Sequence, residues 1–278
     1  MRALIFGASG LLGKDLVSAF ATHDVLGLTS KDADLRDAEQ VLSAIRNAQP
    51  DWIVLSAAYA DVDGCEKDPA RAFAVNLDGA AHVARAASQI GSRLLFLSSD
   101  YVFDGEKRTP YETDNPRNPI NIYGRSKAEA ETVLLEIIPE CCIVRTSWLF
   151  GAGGKCFPDT ILKLAHTQPE LRVVDDQRGC PTYTLDLANA IAALTRKQAS
   201  GIVHITNSGS CSWYEFTRSI LTARSPQTKV IPVTTAEFPR PAKRPAYSVL
   251  SSLSLRGFGI ELSDWQDALT RYFQQRGD

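Results

Sequence analysis

The chain has 278 residues, a formal net charge of −2 at pH 7, and 44% hydrophobic against 22% charged residues. That length suffices for a full core in one large or two medium domains, and the near-balanced charge excludes a general binder of nucleic-acid backbone. No apolar run approaches membrane-spanning length and the N-terminus enters a strand at once, so a cytoplasmic protein that uses neither membrane nor nucleic acid is expected.

Residues 3–6 are a short apolar run that reads as a buried strand. It breaks into Gly7, Gly10 and Gly13, and helical periodicity follows through Leu16, Val17 and Phe20. Strand, glycine turn and helix is the context of a dinucleotide-binding loop. Gly7 turns the chain off the strand, Gly10 lets backbone approach a pyrophosphate, and Gly13 lets the helix pack close to the strand. The helix start at Leu11 and Leu12 offers free N–H groups to phosphates.

Residues 24–28 read as a second strand, 35–47 as a helix, 52–58 as a third strand and 69–89 as a long alanine-rich helix. A fourth strand over 93–97, a helix over 121–137 and a strand over 141–147 follow. Strands alternating with helices of this length predict an α/β chain, a Rossmann-type doubly wound parallel sheet with helices on both faces. The rhythm changes from about Gly151. Helices are expected over 157–166 and 185–195, and strands over 171–174 and 202–205. Ser212 and Glu215 have capping-box spacing before a helix to Ala223. Four prolines make 232–247 an extended loop, and Ser263 is expected to cap a last amphipathic helix. Residues 1–150 therefore form a dinucleotide-binding domain, completed by strands from 171–206, and 151–278 form mainly a smaller, interleaved substrate-binding domain.

Six cysteines show no Cys-x-x-Cys pair and four histidines no ligand spacing. Cys141 and Cys142 sit in an apolar run, so buried free thiols are expected there and no metal site is visible.

Tyr123 and Lys127 lie four residues apart at the start of the helix after the fourth strand, on one helical face. A phenol of pKa near ~10 is a poor acid–base group at neutral pH, and a neighbouring ammonium lowers it. The pair gains weight because it follows a glycine-rich loop and a strand ending Ser98-Ser99-Asp100, and ligands of open parallel sheets gather at the carboxyl ends of strands.

Gly7-x-x-Gly10-x-x-Gly13, the Ser-Ser strand end and Tyr123-x-x-x-Lys127 together resemble the extended short-chain dehydrogenase/reductase superfamily. Finer segments narrow this: Ser98-Ser-Asp-Tyr-Val-Phe-Asp-Gly105, Asn121-Ile-Tyr-Gly-Arg-Ser-Lys127, Arg145-Thr-Ser-Trp148, Asp176-Gln-Arg-Gly-Cys-Pro-Thr182 and Arg244-Pro245 resemble the dTDP-4-dehydrorhamnose reductase family. The resemblance runs from end to end. It implies reduction of the 4-keto group of a nucleotide-linked 6-deoxy sugar to give dTDP-L-rhamnose, by a monomer or homodimer.

Within that resemblance Tyr123 is the proton donor, Lys127 lowers its pKa and holds the nicotinamide ribose, and Ser99 hydrogen-bonds the carbonyl oxygen. Val62, Ser99, Asp100, Tyr101 and Trp148 are expected to line the sugar site and Arg244 to meet the diphosphate. A core aromatic and a solvated charge are the plain alternatives for Trp148 and Arg244. Ala57, Ala58, Tyr59 and Ser98 join the glycine loop on the cofactor side, and Asp34-Leu35 resembles the segment that touches adenine. The second strand ends Thr29-Ser30-Lys31 with no acid until Asp32, so Ser30 and Lys31 favour the extra phosphate of NADPH, with NADH the alternative should Asp32 take the ribose. Cys65 and Cys180 depart from the family pattern without an assigned role. The alternatives are a related reductase or epimerase acting on another nucleotide-linked 4-keto sugar, and a non-catalytic dinucleotide-binding regulatory subunit, which has no need of the acid–base residues this chain keeps.

Overall fold

The computed structural model describes residues 1–224 and 227–276. Strands β1 (Arg2–Phe6), β2 (Asp24–Leu28), β3 (Trp52–Leu55), β4 (Arg93–Ser99) and β5 (Cys142–Thr146) form a six-stranded sheet with Gly201–His204. The order is Gly201–His204, β5, β4, β3, β1, β2, and every pairing is parallel. β3 and β5 are buried along their whole length because both faces are covered, which is why they read as apolar runs. The helices of the first half are α1 (Leu11–Ala19), α2 (Ala38–Ala48), α3 (Val62–Lys67), α4 (Pro69–Phe73), α5 (Gly79–Ile90) and α6 (Ile122–Ile137). One face packs on α1 and the helix Thr184–Arg196, with Leu12, Leu16, Leu187 and Ile191 in that layer. The other packs on α2, α5 and α6 through Val41, Ile45, Val83, Ala84 and Leu134.

The chain leaves β1 for a neighbour on one side, β2, and then for one on the other, β3, so the crevice at their carboxyl ends is the switch point of the sheet. Gly7 (φ +90°) makes the turn there, and a Cβ on it would stand 2.7 Å from the amide nitrogen of Ala57. A Cβ on Gly13 would overlap the carbonyl oxygen of Gly7, so only glycine lets α1 lie this close to the loop it leaves.

A second core gathers Phe150, Tyr183, Phe216, Trp265 and Tyr272 beyond the sheet edge. It joins the helices Phe157–Ala165, Trp213–Arg224 and Trp265–Arg276 to short strand pairs.

Several expectations shift. The helix expected over 69–89 is α4, a π-helical turn at Ala74–Asp78 and α5 in succession, and α3 precedes it, capped by Asp61 through the amide of Gly64. Of the later strands, Gly201–His204 completes the central sheet. Glu170–Val174 does not: it pairs in parallel with Lys229–Val233, whose last two residues, Pro232 and Val233, were expected to open the proline-rich loop. Proline is tolerated there because in a two-stranded ribbon alternate amides face outward. The capping box forms as expected, Ser212 Oγ accepting from Glu215 N at 3.0 Å and Glu215 accepting from Ser212 N at 2.8 Å. For the last helix the cap is Asp264, which accepts from Gln266 N at 2.8 Å, while Ser263 accepts from Arg271 instead. All six cysteines are free and buried. Among the described residues no helix is long and apolar enough to cross a membrane.

Candidate active site

A cleft of about 610 Å³ opens at the switch point. The glycine loop, with Leu11 and Leu12, forms one wall, and Ala57, Ala58 and Val62 continue it beyond β3. Ser98, Ser99, Asp100 and Tyr101 come from the end of β4, Tyr123 and Lys127 from α6, and Trp148 from beyond β5. A second hollow of about 430 Å³ adjoins it across Gly7, Ser30, Ala57 and Ala58, and takes in Asp34, Leu35 and Tyr59.

Two expected residues lie apart from both hollows. Lys31 is exposed at the turn after β2, lining neither. Arg244 is mostly buried but turned to Asp63 at 2.5 Å, and it also meets the hydroxyl of Tyr101, which is its link to the cleft. Asp32 is likewise committed, accepting from Thr29 N at 2.8 Å and Thr29 Oγ1 at 2.7 Å, so its carboxylate faces its own turn.

Sequence reading missed four contributors. Arg36 lines the second hollow, paired with Asp34 at 2.5 Å, and directly follows a segment already singled out. Trp213 stacks on Trp148 with ring centroids 3.5 Å apart and 7° between planes, a contact across 65 residues with no local signature. Lys155 reaches the cleft from the loop after β5. Asn76, buried in the π-helical turn, bonds both N and O of Tyr59 (2.8 and 3.1 Å) and Ser126 Oγ (3.0 Å), tying the segment after β3 to α6.

The start of α6 is fixed from several sides. Asn121 caps it, accepting from Gly124 N at 2.7 Å, and donates to Lys243 O at 2.8 Å. Glu66 of α3 accepts from Ile122 N at 2.8 Å. A Cβ on Gly124 would overlap the carbonyl oxygen of Tyr101. The first turn therefore sits directly on the segment after β4, with the Tyr101 and Tyr123 rings edge to face at 6.0 Å.

Burial sets the electrostatics. Desolvation and the Asp100 carboxylate hold the Tyr123 phenol well above its ordinary value, and the Ser99 hydroxyl beside it pulls the other way. Lys127 is not among the groups that lower it. The phenol is thus protonated, the form a proton donor needs. Lys127 is 2% exposed, its Nζ 4.0 Å from the centre of the Phe96 ring, and burial brings it down to about 7 against the pull of Glu131. Asp100 is pushed up to about 7 by burial, despite the nearby Ser248 and Ser99 hydroxyls. Its Oδ1 accepts from Ser99 Oγ at 2.9 Å and its Oδ2 is buried without a hydrogen-bond partner among the described residues. Thr146 Oγ1, also on the cleft, is in the same condition.

Trp148 has φ +47°, a left-handed conformation that a tryptophan holds only where its surroundings enforce it. Trp213 on one face and the bare Gly179 against the indole enforce it here, since a Cβ on Gly179 would overlap the ring.

These residues fit a dinucleotide. The glycine cradle is one that side chains would fill, and α1 begins with no side-chain cap and no acidic residue in its first turn, leaving its N–H groups to an anion. Two joined hollows, one rimmed by an arginine and one holding buried unpaired oxygens, match a long polar ligand and a second, smaller one.

Asp100 yields a test. An aspartate whose folded pKa lies above its unfolded value costs stability wherever it is ionised. The cost is absent below the ordinary value of 3.8, grows as pH rises to about 7 and is constant above. Asp100→Asn should therefore raise the urea midpoint at about pH 8 and leave it unchanged near about pH 3.5. An equal change at both would mean that the carboxyl is not strained by burial.

With this geometry in view, comparisons with known proteins are specific. The family model described as "RmlD substrate binding domain" matches residues 1–277. The chain is 42% identical over 277 residues to the spore coat polysaccharide biosynthesis protein SpsK of Bacillus subtilis, covering 99% of this chain and 98% of that one. It is 40% identical over 286 residues to the dTDP-4-dehydrorhamnose reductase of Sinorhizobium fredii, covering 98% and 96%. A crystal structure of dTDP-4-dehydrorhamnose reductase from Bacillus anthracis in complex with NADP superposes with a TM-score of 0.96 at 37% identity, covering 99% of each chain. The chain belongs to the dTDP-4-dehydrorhamnose reductase family.

Proposed function

We propose that this protein reduces the 4-keto group of dTDP-4-dehydro-6-deoxy-L-mannose to dTDP-L-rhamnose, with NADPH as reductant. The observation that carries the reading is the meeting of Ser99, Tyr123 and Lys127 on one cleft at the carboxyl end of the sheet. The relatives named as reductases, and the neighbour crystallised with NADP, support the substrate class and the cofactor.

The nicotinamide supplies hydride to the carbonyl carbon when bound. The chain's own residues do the rest. Tyr123, kept protonated by desolvation on the cleft wall, gives its proton to the carbonyl oxygen as negative charge develops there. Ser99, within reach of the phenol, holds that same oxygen and steadies the charge. Lys127 in its cationic form holds the hydroxyls of the nicotinamide ribose. The stacked Trp148 and Trp213 offer a flat apolar wall to one face of the sugar ring. Residues 151–276, apart from the helix Thr184–Arg196 and the strand Gly201–His204 that complete the sheet layers, act in this reading as the substrate side. A purely regulatory role is disfavoured because nothing in dinucleotide binding calls for a phenol held protonated beside a hydroxyl.

NADPH follows from the end of β2 in altered form. Ser30 reaches both hollows, Lys31 reaches neither, and Arg36 supplies the cation that the 2′-phosphate calls for. Asp32, bound to Thr29, is not free to prefer a ribose hydroxyl.

A panel of dTDP-, GDP- and UDP-linked 4-keto-6-deoxy sugars, followed by loss of NADPH absorbance, tests the substrate; turnover restricted to the GDP sugar would refute it. Tyr123→Phe should lower kcat by ~10²–10⁴ while dinucleotide affinity stays nearly unchanged, and a wild-type rate would mean that the proton comes from elsewhere. Arg36→Ala should raise the KM for NADPH by roughly tenfold and leave that for NADH unaltered, the loss of a charge-assisted hydrogen bond. Equal effects on the two cofactors would remove Arg36 from phosphate recognition.

A further inference from the structure

From Ser98 on the cleft wall a buried polar row runs beneath the cleft, and its other members take no part in the proposed reaction. Ser98 of β4, Arg145 of β5 and His204 of the last strand are register partners across three adjacent strands. Glu131 of α6 closes over the first two. Its Oε1 accepts from Ser98 Oγ at 2.5 Å and from Arg145 Nε at 2.9 Å, and its Oε2 from Arg145 Nη2 at 2.7 Å and Arg117 Nη1 at 3.2 Å. The Glu131 and Arg145 side chains are 0% and 1% exposed. Arg145 extends further to Thr113 O at 3.2 Å and His204 Nε2 at 3.4 Å, with its guanidinium 5.0 Å from the centre of the Phe103 ring.

An ion pair this deep is costly, and a pair of well-packed apolar side chains would hold the strands to the helix as well or better. Its position suggests what it does. Glu131 stands one helical turn beyond Lys127 on the same face of α6. We propose that Glu131 is a positioning residue: its carboxylate, locked in place by Arg145 and Ser98, is the counter-charge that keeps the buried Lys127 ammonium in its cationic form. What this does for turnover rests on the reductase reading; the charge state of Lys127 does not.

The ionisable groups around that part of α6 bear this out by elimination. They are Tyr123 and Glu131 on the helix itself, Asp100 after β4, Cys65 on α3, Arg145 on β5, Arg117 before the helix and His204 at the sheet edge. Burial drives Lys127 toward the neutral amine, and Glu131 is the charge that opposes it. Asp100 and Cys65 act on Tyr123 instead, and Arg145 and Arg117 are cations bonded to Glu131 itself, so neither supplies a counter-charge. His204 is held far below its ordinary value by burial and Arg145, so it carries no charge that would compete.

The test reads Lys127 directly. Cofactor-free protein is treated with acetic anhydride across a pH series, and acetylation of the Lys127 peptide is followed by mass spectrometry, since only the neutral amine reacts. In Glu131→Gln the labelling midpoint should fall by about one pH unit, a tenfold rise in neutral amine at a given pH. The alkaline limb of the kcat profile should move the same way, with activity recovered on acidification. Because Glu131→Gln strands Arg145, the companion is Glu131→Gln with Arg145→Met, whose midpoint should fall between those of the parent and the single variant, since a cation is lost with the anion. If both variants keep the parent's midpoint, Glu131 only fastens the helix to the sheet and the proposal is overturned. A parent that turns over no keto sugar while its variants still shift the midpoint would overturn the reductase reading and leave this one standing.

Discussion

The seating of α6 on the end of β4 is the contact on which the rest depends. Gly124 lies so close to the carbonyl of Tyr101 that any side chain would push the helix away. Asn121, Glu66 and the Lys243 carbonyl pin the same turn from three directions. That seat brings a phenol carried by the helix to a hydroxyl carried by the strand. It also carries Lys127 under the cleft and Glu131 onto the row of polar groups across the sheet. The fold is a widely used scaffold; the register of one helix against one strand end gives it chemistry.

Burial is the second theme, and it acts in one direction on groups of opposite kind. Removing water raises the phenol and the Asp100 carboxyl and lowers the Lys127 amine, so each is drawn toward its neutral form. For a proton donor this is an advantage. For a lysine needed as a cation it is a difficulty, and Glu131 meets it. The substrate side shows a comparable tension in backbone terms. Trp148 adopts a conformation unfavourable for its type and is kept there by the Trp213 ring and by the absence of a side chain at Gly179.

Much of this was legible in the sequence, for identifiable reasons. Buried parallel strands announce themselves as apolar runs, and a glycine that must sit against a backbone carbonyl has no substitute, so β1, its turn and α1 could be read directly. Tyr123 and Lys127 are near in sequence and share a helix face, which made the pair visible before its surroundings were. The Trp148–Trp213 stack and the Ser98–Arg145–His204 row were not, because strand register and long-range packing create them. The strand Lys229–Val233 was hidden by Pro232, which is harmless on an outward-facing amide. Lys31 lines neither hollow whereas Arg36 lines one, because the turn between them decides which cation faces it.

The central claim is that the cleft joins a reduced dinucleotide to the carbonyl carbon of a nucleotide-linked sugar beside Tyr123. Incubating the protein with dTDP-4-dehydro-6-deoxy-L-mannose and NADPH deuterated at the transferred position, then locating the label in the product, tests it most directly. Deuterium is expected at C4 of the sugar ring of dTDP-L-rhamnose. Label at another carbon, or an unreduced sugar, would contradict it.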